Sequence, residues 1–230
     1  MRSNGRMWWP VAVLVVLAGC TNPPAAPPPA PAETLNDIYQ KSIAAAAVKQ
    51  PDYARTLLPI DKSAPSVTVA HFQPYPTIDT TRFTWVARPD ELRALCRGKA
   101  DPLLALQQAL GLPPEQRNDE KVFTFDVRPA DIFRPCASSP DITTTQCSMD
   151  LPVAPIASQA ATEHFVLKQM MDSYRSGFKN PGYPFTAMGW SYDWDPASAT
   201  HQGVSEYVVK PGAKIANVAS VDPATFCSAK

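Results

Sequence analysis

Between Tyr183 and Trp194 five aromatic residues fall within twelve positions, and Asp193, Asp195 and Glu206 lie among or just beyond them. Paired carboxylates beside aromatic surface are what glycoside hydrolysis uses. One neutral acid protonates the leaving oxygen, while an ionised partner about 5–10 Å away acts as base or nucleophile. Asp193 with Glu206, or Asp195 with Glu206, would meet across neighbouring strands. Alternation along a strand puts Trp190, Tyr192 and Trp194 on one face, with Ser191, Asp193 and Asp195 on the other. Buried, the aromatic face is core and the acids are its solvated back. Exposed, it is a binding platform for sugar rings or apolar partner groups.

Other chemistries find little support. His71, His164 and His201 are scattered, with no HExxH or other local metal spacing, so no metal site is expected. GxSxG, the phosphate-binding GxxxxGK[ST] and GxGxxG are all absent, and glycine is scarce at nine residues. No nucleotide or other cofactor is expected. The run Ser205-Glu206-Tyr207-Val208-Val209-Lys210-Pro211-Gly212-Ala213-Lys214-Ile215 resembles the catalytic-glutamate strand of ADP-ribosyltransferases. That resemblance implies a catalytic role for Glu206, although Val204 stands where the family carries Glu or Gln.

Charge and cysteine usage bound the class. Twenty-one basic residues balance twenty-one acidic ones, with no basic stripe, so a nucleic-acid partner is not expected. Cys96, Cys136, Cys147 and Cys227 make an even set, which in an exported protein reads as two disulfides. Spacing favours Cys136–Cys147 as a local staple and Cys96–Cys227 as a clasp on the C-terminal segment, among three formal connectivities.

The N-terminal segment points to export. Arg2 and Arg6 precede the apolar run Met7–Leu17, and small residues then lead to Cys20. This is the order of a secretory signal, and the run is about half the length of a membrane span. Leu17-Ala18-Gly19-Cys20 resembles the lipobox of bacterial lipoproteins. The resemblance implies cleavage before Cys20, acylation of its thiol and anchoring in the cell envelope. Thr21 at the next position implies sorting to the outer membrane. Thr21–Pro31 holds six prolines in eleven residues. Such a stretch is a semi-extended spacer of about 35 Å at ~3.1 Å per residue.

The elements that must position the acids follow from pattern. Thr34 caps a helix over 35–48, and Asp101-Pro102 opens another that stops at Gly111. A helix also begins at 88–92, and the longest runs over 158–175. Strands are expected over 66–72, 82–87, 121–127, 184–194, 203–209 and 214–221. The last two are expected to form a hairpin through Lys210-Pro211-Gly212-Ala213. A short helical turn at 129–133 precedes a long loop over 134–157. These elements predict one α+β domain over 34–230, a mainly antiparallel sheet with helices on one face. Residues 1–19 form the signal and 20–33 the acylated tether. The expected function is binding of an envelope protein or cell-wall glycan, with envelope hydrolysis through Asp193, Asp195 or Glu206 as the alternative.

Overall fold

Three helix starts in this chain are set by short polar caps. A computed structural model describes residues 32–47, 53–114, 119–150, 160–174 and 182–229. Helix α1 (Leu35–Ala47) opens on a reciprocal cap. The Asp37 amide donates to Thr34 Oγ1 at 3.2 Å, and the Thr34 amide donates to Asp37 Oδ2 at 3.0 Å. Helices α2 (Pro89–Cys96), α3 (Pro102–Ala109) and α5 (Pro223–Ser228) each begin with a proline. Asp101 and Asp222 cap the last two by accepting from the amides of Leu104 and Thr225. Helix α4 spans Ala160–Tyr174. The expected ends at 158–159 and 175 lie outside the described residues, as do the signal, Cys20 and the proline spacer.

The fold is α+β, and its strand pairing is antiparallel throughout the described residues. The strands form three small sheets in place of the expected main one. β1 (Val67–Gln73), β3 (Lys121–Val127) and β8 (Ile215–Val221) make the first, with β3 central. β2 (Thr84–Val86), β7 (Tyr207–Val209) and β4 (Ile132–Phe133) make the second, with β7 central. β5 (Trp190–Tyr192) and β6 (Gln202–Ser205) form a hairpin.

Three local expectations change. The Lys210–Ala213 turn forms, with the Ala213 amide donating to Lys210 O, but β7 and β8 belong to different sheets and are not a hairpin. The run 203–209 is broken at Glu206 into β6 and β7. Within 184–194 only 190–192 form a strand, because Ala187 (φ 55°) and Gly189 (φ 72°) take left-handed backbone that interrupts extension.

Both disulfides pair as expected, at Cα separations of 5.5 Å for Cys96–Cys227 and 5.9 Å for Cys136–Cys147. The first joins the end of α2 to α5, where Cys96 and Cys227 pack with Leu92, Leu106 and Phe226. The second closes a loop beneath Trp190 and Met188.

Candidate functional site: the pocket at Glu206

Glu206 stands where the chain passes from one sheet into another. Ser205 pairs with Trp190 in the hairpin, and Tyr207 pairs with Val86 in the second sheet. Both neighbours are fully buried. Ser205 Oγ accepts from the Leu58 amide at 2.9 Å and donates to Glu91 Oε1 at 3.0 Å. Tyr207 donates its hydroxyl to Leu58 O. The Glu206 amide donates to Gly189 O at 2.8 Å. Alternation puts Glu206 on the same side as Val204, and both face a cavity of about 270 Å³.

Several elements enclose this cavity. Ala70, His71 and Phe72 come from β1, Trp85 from β2, and Leu110 and Leu112 from the end of α3. Gln169 and Ser173 come from α4, while Pro184, Phe185 and Tyr192 complete the walls. Most of the lining is apolar or aromatic. An apolar cavity with few convergent polar groups is the ordinary form of a small-molecule site.

Among the polar groups on the wall, Ser191 and His71 have partners and Glu206 Oε2 has none. Ser191 Oγ donates to Ala109 O at 2.6 Å and accepts from the Val204 amide at 2.8 Å. His71 Nδ1 lies 2.7 Å from Trp85 O and Nε2 lies 2.9 Å from Gln73 Oε1. Burial holds its pKa below the ordinary value against those two contacts. Glu206 Oε2, by contrast, is buried with no hydrogen-bond partner. Burial pushes this carboxyl up to about 8, opposed only by the positive charge of Arg134. Glu206 is therefore a neutral acid at pH 7.

Arg134 is fully buried and has its own partners. It donates to Leu58 O at 2.6 Å and to the Tyr207 hydroxyl at 3.3 Å, and it lies over the Tyr207 ring. Gly189 lets this arrangement close, since a Cβ there would meet Arg134 Cδ at 2.8 Å.

The other candidate acids are elsewhere. Asp193 accepts from the Asp195 amide at 3.0 Å, and burial raises its pKa. Asp195 accepts from Lys99 Nζ at 3.0 Å and from the Ala197 amide at 2.9 Å. Burial raises the Asp195 carboxyl, yet these two donors hold it below the usual range. The Asp193 amide bonds His201 O, whereas Glu206 bonds Gly189, so the acids occupy opposite ends of the β5–β6 hairpin. Residues 201 to 206 span roughly 16 Å at ~3.3 Å per residue. That backbone separation is longer than the roughly 5–10 Å over which paired carboxylates act.

The aromatic face is core. Trp190, Tyr192 and Trp194 are 1%, 8% and 1% exposed, so they offer no open platform. Tyr53 packs edge-on to Trp190 and Tyr39 edge-on to Trp194. Tyr192 alone among the three lines the cavity. In the run that resembles ADP-ribosyltransferases, Glu206 precedes β7 and the Lys210–Ala213 turn, and β8 lies in another sheet. Among the described residues no group of three or more His, Cys, Asp and Glu is placed to hold a metal ion.

The cavity walls from β1, β2 and α3 carry no motif that sequence reasoning recognises. One signal was available: Val204, Glu206 and Val208 share a period-two face, which puts a lone acid in an apolar row. Comparison with protein-family models, with curated proteins and with solved structures finds no match for this chain.

Proposed function

We propose that this protein is an envelope lipoprotein, acylated at Cys20, whose domain binds a small and largely apolar ligand in the Glu206 pocket. It acts by binding and not by catalysis. The ligand is either a free small molecule or a protruding group of an envelope protein or cell-wall glycan. The observation that carries this reading is a cavity of about 270 Å³ whose walls are mostly apolar and whose one orphaned polar atom is Glu206 Oε2. The lipobox Leu17–Cys20 and the two disulfides support an oxidising envelope location, which we take to be the outer membrane.

A paired experiment tests both halves. Cys20→Ala is expected to move the exported protein from the membrane fraction to the soluble fraction, and persistent membrane association would refute acylation. On that soluble variant, small aromatic compounds are expected to shift the NMR methyl signals of Val204, Leu110 and Leu112. A full panel that shifts none of them would remove the binding reading.

A further inference from the structure

We propose that the ligand's polar end is a protonated amine, an ammonium group carried on an apolar or aromatic stem and seated against Glu206. This inference rests on the reading of the pocket as a ligand site and names the chemistry of its occupant.

Three observations carry it. First, no Lys or Arg among the described residues lines the cavity, so an anionic ligand would meet no compensating charge from them. Second, the unmet polar requirement is that of a carboxyl, which becomes an acceptor alone once it gives up its proton. Ser191 Oγ both donates and accepts, and both His71 nitrogens lie against acceptor oxygens, of which a neutral ring satisfies one, while Glu206 Oε2 has no partner. A wholly apolar occupant would leave that oxygen orphaned, which is costly in a dry cavity. An ammonium brings three donors and a charge of the right sign. Third, the remaining walls suit a cation and its stem. Trp85, Phe72, Phe185 and Tyr192 supply aromatic surface, and ring faces attract ammonium groups as well as hydrocarbon.

Arg134 does not already play this part. It is the positive charge that acts on Glu206, but no salt bridge joins the two. Its terminal NH groups donate to Gly189 O, Leu58 O, Ile142 O and the Tyr207 hydroxyl, and its Nε has no partner. The other titratable groups around Glu206 are Tyr174 on α4, and His71, Tyr183 and Tyr192 on the walls. Burial raises the phenols of Tyr174 and Tyr192 further from neutrality and lowers His71.

The test compares 2-phenylethylamine with 2-phenylethanol, matched in shape and differing in charge, by calorimetry or NMR on the full mature chain. The amine is expected to bind at least tenfold more tightly at pH 8. Its affinity is expected to rise about fifty-fold from pH 6 to pH 8, because binding displaces the proton of a carboxyl that titrates near 8. Glu206→Gln is expected to abolish the preference and the pH slope, with alcohol binding reporting that the variant's pocket is formed. If that variant does not fold, the wild-type pH profile still decides. An alcohol that binds as well as the amine, or an affinity that falls toward pH 8, would overturn the amine inference and leave the pocket as a ligand site. Binding of neither compound would overturn both.

Discussion

At one end of the β5–β6 hairpin, Asp195 accepts from an ammonium and a backbone amide, and Asp193 accepts the Asp195 amide in turn. At the other end, Glu206 has the same functional group, with an oxygen that accepts from nothing. The aspartates order a turn, since each carboxylate closes a short loop onto a neighbouring amide. Glu206 closes no loop and caps no helix. Three acids within fourteen residues thus divide into two that stabilise structure and one whose oxygen has no partner. Hydrogen bonding separates them where residue type does not.

The strongest way to break this comparison is to disrupt the strand that joins the two ends. A Cβ on Gly203 would meet Ala109 O at 2.1 Å and Ser191 Oγ at 2.4 Å. Gly203→Ala is expected to destabilise by more than about 3 kcal/mol in urea denaturation, because backbone cannot yield as a flexible side chain would. A cost below about 1 kcal/mol would show that α3 is not held tightly against the hairpin.

Stability against pH sharpens the contrast further. The unfolded Glu206 carboxyl titrates near the ordinary value of 4.5 and the folded one near 8. The folded state therefore keeps a proton that the unfolded state has lost, and stability falls as pH rises between those two values. Glu206→Gln is expected to remove this penalty. It would stabilise the protein by on the order of 3 kcal/mol at pH 8, with the gain vanishing near pH 4. A gain independent of pH would mean that the carboxyl is not the titrating group.

The smallest effect is expected at the aspartate end. Lys99 is half exposed, so its pair with Asp195 is weakened by solvent and salt. Lys99→Ala is expected to cost less than about 0.5 kcal/mol at moderate ionic strength, and nothing measurable in 1 M salt. A cost above 2 kcal/mol would place this end, too, among sites that depend on charge.

Local signals made much of the fold legible, and the site was legible only in part. The Thr34 and Asp101 caps and the alternation of β1 and β3 follow from residue type and spacing, whereas both disulfide pairings are favoured among three connectivities and not fixed. The same Asp-Pro signal at Asp222-Pro223 marks α5. The merging of β6 with β7 was predictable in kind: Gly203–Val209 is continuously strand-like, and nothing local says that its partners change at Glu206. Partner choice is a long-range property, decided by packing of β7 between β2 and β4. For the same reason Pro211-Gly212 reads as a hairpin turn although the strands beside it pair elsewhere. Glu206 itself stood out as an acid near aromatics. Its isolation from Asp193 and its enclosure by Phe72 and Trp85 depend on contacts more than a hundred residues away in sequence.

The position of Glu206 between two sheets has a consequence for the speed of recognition. Ser205 and Tyr207 are held in different ladders, so the backbone at Glu206 cannot shift without loosening one of them. The cost of ordering the acceptor is therefore met during folding and not at each encounter. A ligand that reaches the cavity finds a prepared receptor, and selectivity resides in how slowly a well-matched occupant leaves.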